Sequence, residues 1–192
     1  MDLIKAIEIF AFVTGIIYLI LEIKQKNFMW VIGILTGVAC AYSFGVQRLW
    51  ASMGLNIYYV VVSVWGLYKW RKDSAKLDDG TEVHLAVLSK KTMLVSALIF
   101  VLGTALMVWL LHALGDSSTI LDAVVTVMSA IATWWLAKSY PQQWLLWILA
   151  DALSFALCLT SGMYWMAVLY LAYAASAVYG WYYWRKKGKY VA

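Results

Sequence analysis

The sequence predicts an all-α integral membrane protein with seven transmembrane helices, and three observations lead to that prediction. Apolar residues make up 65% of the 192 residues, and the mean hydropathy is +0.78. Several apolar runs exceed the roughly 18 residues that mark a membrane-spanning helix. The 12 Trp and 13 Tyr residues exceed what two interfacial aromatic belts require, so some of them must line the interior.

The helices are predicted from the apolar runs and from the polar breaks between them. Pro141, the single proline, lies in the turn between the fifth and sixth helices, where it can end a helix. The seven predicted helices are Leu3–Leu21, Met29–Val46, Leu49–Trp70, Thr92–Leu114, Thr119–Leu136, Trp144–Thr160 and Tyr164–Trp184.

The connection between the third and fourth helices is long and polar and carries charges of both signs, which is typical of a solvated loop. A short strand or amphipathic piece is expected within it at Val83–Leu88. His84 in this loop and His112 near the end of the fourth helix are each expected to stand alone. Asp78 and Asp79 lack partner ligands at calcium-loop spacing, so neither a metal site nor a cofactor is expected.

The net charge of +5 follows membrane topology, because the basic residues flank the apolar segments. Only Lys5 and Arg48 fall on the amino-terminal side of the predicted helices, whereas the other thirteen Lys and Arg residues fall on the opposite side. This bias predicts an external amino terminus and a cytoplasmic carboxyl terminus. The expected surrounding is the lipid bilayer, and no nucleic-acid partner is expected.

An internal repeat appears when the chain is shifted by 114 residues. The first three predicted helices then fall on the last three without a gap. The clearest segment aligns GLYKWRK with GWYYWRK, and an acidic residue recurs near the start of each repeat. The matched pairs are Glu8 with Asp122, Trp30 with Trp144, Tyr59 with Tyr173, Gly66 with Gly180, and Trp70 with Trp184.

The repeat makes the fourth helix a connector, so both repeats start on the same side of the membrane. We therefore predict one transport domain over residues 1–192, with repeats at about 3–72 and 117–186 and a connector helix at about 92–114. This 3+1+3 arrangement of parallel repeats is that of the SWEET proteins, in which a midplane site lies between the repeats. We expect Gly33 and Gly37 in the first repeat to leave space for larger groups of the second.

Asp151 is the leading candidate for a binding residue, because it lies in the middle of the sixth predicted helix. A carboxylate at bilayer depth costs roughly 2.5–3.5 kcal/mol on insertion scales, and such residues face a protein interior or a wet cavity. Trp147 and Trp144 precede it by four and seven positions, so the three share one helix face. A carboxylate beside two indoles is suited to a flat organic cation.

Polar faces on three other helices provide further candidates for substrate contact or for hydrogen bonds between helices. The predicted substrate-binding residues outside the sixth helix are Asn56, Tyr59 and Ser63 on the third, Thr126, Ser129 and Thr133 on the fifth, and Tyr170 and Tyr173 on the seventh. Asp122 lies near the outer mouth, where we favour a structural role.

The motifs that a membrane enzyme requires do not occur in the sequence. There is no G-x-S-x-G elbow, no clustered acids or His and Cys residues suited to a metal, and no P-loop. We therefore expect a protein that is not an enzyme and that hydrolyses no nucleotide on its own.

The sequence resembles the Pnu family of bacterial vitamin transporters over nearly its whole length. The strings that carry the resemblance are LEIKQKNFMW, GLNIYY and WGLYKW in the first half, and ATWWLAKSYPQQWLLW, the WxxxD of Trp147–Asp151 and GMYW…LYLAY…YGWYYW in the second. PnuC-type members commonly carry WxxxN at this motif. The resemblance therefore assigns the tryptophan role to Trp147, and the asparagine role falls on an aspartate, Asp151.

The resemblance implies a SWEET-like fold in a bacterial inner membrane, often assembled as a homotrimer. It implies facilitated diffusion of nicotinamide riboside (PnuC-type) or thiamine (PnuT-type), which a cytoplasmic kinase then traps by phosphorylation. Both vitamins are aromatic cations, so an anionic partner suits either. The alternatives are a SWEET-like carrier of another small polar solute, such as a sugar or riboflavin, and an integral-membrane enzyme.

Overall fold

The computed structural model describes residues 3–47, 50–74, 83–113, 120–160 and 162–191. In these residues it contains seven helices and two short strands. The elements are α1 (Leu3–Ile23), α2 (Phe28–Val46), α3 (Trp50–Ser74), β1 (Val83–Leu85), α4 (Lys90–Ala113), α5 (Ile120–Ala137), α6 (Gln143–Thr160), α7 (Tyr164–Lys187) and β2 (Gly188–Tyr190).

The seven predicted helices are confirmed, with every described end within four residues of its predicted position. Leu49, Leu114 and Thr119, which were predicted to lie at helix ends, are outside the described residues, as are Arg48 and the Asp78–Asp79 pair. Four of the helices are long and apolar enough to cross a membrane, namely α2, α4, α5 and α6. In α3 and α7 the last turns carry basic residues, which lower their hydropathy.

The seven helices confirm the all-α class, and two short strands add to it. β1 and β2 form a parallel pair with Val83 opposite Gly188 and Leu85 opposite Tyr190. The short strand expected within Val83–Leu88 is thus confirmed. The expectation of a solvated segment is wrong for β1, because every side chain of this strand is at most 3% exposed, whereas Val87 just after it is 73% exposed. The backbone also bonds beyond the pair, with the Ala86 amide donating to the Ser139 carbonyl at 3.0 Å.

The chain divides into two compact units. The first comprises Met1–Ala86, Leu136–Ser139 and Tyr183–Ala192, and it therefore contains α1 to α3 and both strands. The second comprises Val87–Trp135 and Tyr140–Tyr182, which includes α4, α6 and most of α5 and α7.

A cluster of three fully buried tryptophans, Trp30, Trp70 and Trp184, forms part of the core of the first unit. The Trp70 ring lies 5.0 Å from the Trp30 ring and 6.2 Å from the Trp184 ring, between centroids. The Trp70 indole N–H donates to the Leu136 carbonyl at 3.3 Å, and the Trp184 indole N–H donates to the Ile23 carbonyl at 3.0 Å. Both acceptors are carbonyls in the last turn of a helix, where no partner exists within that helix. The Leu136 carbonyl also accepts the Ser139 amide at 2.8 Å.

The turns that follow α1 and α5 have the same backbone hydrogen bonds. After α1, the Lys26 amide donates to the Leu21 carbonyl at 2.8 Å and the Gln25 amide to the Glu22 carbonyl at 3.0 Å, which is a Schellman motif. After α5, the equivalent bonds start from Tyr140 and Ser139, 114 residues later. The left-handed residues are Gln25 and Ser139, with φ of 48° and 60°. The 114-residue spacing seen in the sequence therefore recurs in the backbone.

A tryptophan packed on a glycine joins two helices within each unit. In the first unit, a Cβ added to Gly66 of α3 would lie 2.7 Å from ring atoms of Trp30 on α2. In the second unit, a Cβ added to Gly180 of α7 would lie 2.6 Å from ring atoms of Trp144 on α6. Glycine is needed at both positions because the ring occupies the space of a side chain. The two contacts are also separated by 114 residues.

His84 is buried in the first unit, where its contacts are structural. Its ring makes an edge contact with Trp70 at 5.5 Å between centroids, and its backbone amide and carbonyl both bond the Gln25 side chain, at 2.6 and 2.9 Å. The imidazole is 3% exposed, and its Nε2 has no hydrogen-bond partner among the described residues. Burial lowers the pKa of His84 to about 4, and the nearby Lys69 adds to this effect while Asp73 opposes it.

Replacing Gly66 by alanine is predicted to destabilise the protein through the contact with Trp30. Overpacking of this kind costs about 1–3 kcal/mol. Gly54→Ala on the same helix is the matched control, since nothing lies within 4 Å of its added Cβ. Thermal unfolding of the detergent-purified variants would measure the difference. Equal melting temperatures for Gly66→Ala and Gly54→Ala would contradict the packing described here.

The low pKa of His84 predicts a loss of stability as the pH falls from about 6.5 to about 4. The unfolded chain binds a proton on this histidine below about pH 6.5, whereas the folded chain stays neutral there until about pH 4. The free energy of unfolding should decline across that window by roughly 2–3 kcal/mol. His84→Gln should remove this part of the pH dependence, whereas His112→Gln, which changes the other histidine, should retain it.

Candidate functional site

Helix α6 presents one polar face to the protein interior. Asp151 and Ser154 on this face are 8% and 6% exposed, whereas Leu145 and Leu149 on the opposite face are 46% and 50% exposed. The helix starts two residues after Pro141, whose carbonyl accepts the Trp144 amide at 3.2 Å. This start places Trp147 one turn before Asp151 on the buried side.

Asp151 has neither a hydrogen bond nor an ion pair with any of the described residues. Its carboxyl interacts electrostatically with the hydroxyl groups of Tyr170 and Tyr173 on α7. Those two rings pack edge to face, with centroids 6.2 Å apart and an interplanar angle of 85°. A buried carboxyl without a charged partner is costly, and in membrane helices such residues are usually functional.

Two other residues of α6, Trp147 and Gln143, also have buried polar atoms without partners among the described residues. The Trp147 indole N–H is buried without a hydrogen-bond partner among the described residues, and so are both amide atoms of the fully buried Gln143. Buried polar groups in folded proteins are normally satisfied by protein or water. This face of α6 therefore carries donors and acceptors that are available to a ligand.

Trp144 packs against a neighbouring helix, which was not predicted from the sequence. It is 1% exposed, and its ring is the one packed on Gly180. The structure thus gives Trp144 a helix-packing role. Its predicted contact with substrate stays a prediction.

The polar face predicted on α5 is present in the second unit. Ser129 and Thr133 are buried, and the Thr133 hydroxyl donates to the Ser129 carbonyl at 2.9 Å, so this hydroxyl is already engaged with its own helix. Thr126 is half-buried. Asp122, in the first turn of α5, interacts electrostatically with Tyr170.

The candidates on α3 belong to the first unit. Asn56 donates its side-chain amide to the Ser52 carbonyl at 2.9 Å, and Ser63 is 3% exposed. Tyr59 is half-buried and interacts electrostatically with Tyr18 of α1. Whether these residues and those of α6 contact one substrate stays a prediction.

The sequence reasoning missed two polar residues of α1. Glu22 is 4% exposed, and together with Tyr18 and Tyr59 it forms a polar cluster within the first unit. The signal was present, since Glu22 is an acid in a mostly apolar helix like Asp151. A helix predicted to end at Leu21 places Glu22 at the membrane surface, where an acid has no such cost.

The expectation that Gly33 and Gly37 leave space for groups of the other repeat is wrong. A Cβ on Gly33 would lie 2.9 Å from the Ser63 hydroxyl, and one on Gly37 would lie 2.8 Å from Val60. The two glycines form a G-x-x-x-G motif on α2 that lets α3 approach closely. The space beside them is therefore filled by their own unit.

The sequence matches one known protein family over most of its length. The family model "Nicotinamide mononucleotide transporter" matches residues 5–186. The chain is 30% identical over 176 residues to the nicotinamide riboside transporter PnuC of Haemophilus influenzae, covering 91% of this chain and 76% of that protein. It is 24% identical over 171 residues to the riboflavin/roseoflavin transporter RibM of Streptomyces davaonensis, covering 88% and 79%.

A solved structure also matches. It is the crystal structure of the vitamin B3 transporter PnuC, with a TM-score of 0.71 and 28% sequence identity. The match covers 92% of this chain and 79% of that one. The structural match therefore covers nearly the whole chain, as the sequence matches do.

If Asp151 serves to bind a ligand, removing its charge should not destabilise the unliganded protein. Asp151→Asn is predicted to leave the melting temperature unchanged or to raise it, because no described residue pairs with the carboxyl. Gln25→Leu is the control, because this similarly buried side chain bonds His84 twice and its loss should cost about 1–3 kcal/mol. A loss for Asp151→Asn as large as for Gln25→Leu would mark Asp151 as structural.

Proposed function

Because this chain belongs to the nicotinamide mononucleotide transporter family, we propose that it carries a cationic B-vitamin compound, nicotinamide riboside or thiamine, across the membrane. The observation that supports this proposal most directly is Asp151, a buried carboxyl with no charged partner among the described residues, beside Trp147 and two tyrosines. The chain is a multi-pass membrane protein of a transporter family, and the substrate is the part that we propose.

The α6 face suits an aromatic cation for two reasons. An indole attracts a cation over its ring face by about 0.5–2 kcal/mol, depending on how well water is excluded. A carboxylate adds a charge-assisted contact, which is worth about 1.5–3 kcal/mol. A neutral molecule such as riboflavin gains only the stacking contribution. We therefore rank riboflavin below the two cations, although one relative is named for riboflavin transport.

We propose that transport is facilitated diffusion and that a cytoplasmic kinase traps the vitamin by phosphorylation. The sequence contains no P-loop with which the chain could hydrolyse a nucleotide itself. We also propose that the amino terminus is external and that the chain resides in a bacterial inner membrane. The thirteen-to-two distribution of basic residues supports this orientation. A homotrimer is proposed by resemblance to the family.

We further propose that the chain is built from two parallel repeats joined by α4. The support is the recurrence of three local features at a spacing of 114 residues. These features are the left-handed turn residues Gln25 and Ser139, the Trp30 and Trp144 rings packed on Gly66 and Gly180, and the indole bonds of Trp70 and Trp184 to helix-end carbonyls.

Equilibrium binding to the purified protein would test the substrate proposal. Nicotinamide riboside, thiamine and riboflavin would be titrated into the wild type, Asp151→Asn, Trp147→Ala and Trp147→Phe. Asp151→Asn and Trp147→Ala should each weaken binding of the cations roughly ten- to a hundredfold, and Trp147→Phe should weaken it less. Trp109→Ala is the control, because Trp109 is 64% exposed on α4.

The outcomes separate three readings. Equal binding of both cations to wild type and Asp151→Asn would show that the carboxyl charge is not used. Tighter binding of nicotinamide riboside to Asp151→Asn, which restores the WxxxN motif, would indicate that Asp151 acts as a neutral hydrogen-bonding group. Tighter binding of riboflavin than of either cation would contradict the proposal and would favour riboflavin as the transported solute.

A further inference from the structure

The second unit contains a groove that the transport proposal does not use. Its volume is about 270 Å³, and three helices line it. The lining residues are Met93, Ser96, Ala97 and Phe100 of α4, Met128, Ile131 and Trp135 of α5, and Leu146 and Leu149 of α6. Met128, Ile131 and Trp135 are buried and form the floor, whereas Met93 and Leu149 are each 50% exposed and form the rim.

The described residues that line the groove offer no free polar group to a ligand. Among them Ser96 has the only hydroxyl side chain, and its oxygen accepts the Trp135 indole N–H at 3.0 Å. The floor therefore presents hydrocarbon, an aromatic ring and methionine sulfur. A polar vitamin would lose its hydration there without replacing its hydrogen bonds, which excludes the proposed substrate as the occupant.

One end of the groove is positively charged. Lys90 and Lys91 begin α4 and are exposed. Lys90 precedes Met93 by three residues and Ala97 by seven, so it lies on the same helix face as the groove. Ser89 caps this helix, with its hydroxyl accepting the Thr92 amide at 3.1 Å. The helix dipole adds partial positive charge at the same end.

We propose that this groove binds one acyl chain of an anionic phospholipid, with the phosphate group at Lys90 and Lys91. The groove is apolar and open at its rim, which suits an acyl chain, and two ammonium groups lie at its end, which suits a phosphate group. A helix with its side chains is about 10–12 Å across, so a groove of about 270 Å³ admits a hydrocarbon chain more readily than a helix of a second copy. Each lysine near an anionic headgroup strengthens binding about fivefold, or roughly thirtyfold for both.

Native mass spectrometry of the detergent-purified protein would test the headgroup contact. Phosphatidylglycerol and phosphatidylcholine with the same acyl chains are the two probes. Wild type should retain phosphatidylglycerol preferentially, and Lys90→Gln/Lys91→Gln should weaken that retention roughly thirtyfold. Lys24→Gln/Lys26→Gln is the matched control, because it removes two exposed lysines that follow α1. Equal loss in both double variants would overturn the proposal, since it would mean that only net charge matters.

A second pair of variants tests the acyl-chain contact. Ala97→Trp places a large ring in the groove, whereas Leu98→Trp places the same ring at a neighbouring position of α4 that is 59% exposed and does not line it. Ala97→Trp should displace the bound lipid, and Leu98→Trp should leave it in place. Unchanged lipid retention in Ala97→Trp would overturn the proposal. Efficient disulfide cross-linking between two molecules of the Met93→Cys variant would also overturn the proposal, because a second protein molecule would then cover the groove.

Discussion

The close approach of paired helices depends on a tryptophan ring packed on a glycine. Apolar side chains gain little from leaving a lipid environment, so helices in a membrane associate through tight packing and hydrogen bonds. Trp30 on Gly66 joins α2 to α3, and Trp144 on Gly180 joins α6 to α7. The second contact fixes the rotation of α6, and that rotation directs Asp151 inward and Leu145 outward. The proposed recognition face is therefore a consequence of this packing.

The sequence predicts the helices well because their signals are local. Apolar runs and polar breaks define each helix to within a few residues. The shift by 114 residues matches Trp30 with Trp144 and Gly66 with Gly180, but only the structure shows that each tryptophan packs on a glycine. The pairing of β1 with β2 joins residues that are 105 positions apart, such as Val83 and Gly188, and so short a strand has no periodicity to reveal its partner. His84 is buried because β1 pairs with β2 and because Gln25 bonds its backbone. A prediction that treats this segment as a loop therefore places His84 wrongly in solvent.

The sequence predicts some residues of the candidate site and not others, and the difference has a physical reason. Asp151 was identifiable because an acid in the centre of an apolar helix has a known cost. Glu22 carries the same signal at a helix end, where snorkelling to the membrane surface offers an equally good account, and only the structure shows it buried. Gly33 and Gly37 could be seen as small residues, but which helix fills the space beside a glycine depends on tertiary packing.

We propose that this chain moves a cationic vitamin without an energy source of its own. Uptake of labelled nicotinamide riboside and thiamine into kinase-free proteoliposomes tests it most directly. We predict that at least one of the two enters until the internal and external concentrations are equal, and that a proton or sodium gradient does not raise the final level. Entry of both vitamins no faster than into protein-free liposomes, or sustained accumulation of the unmodified vitamin against its gradient, would contradict the account.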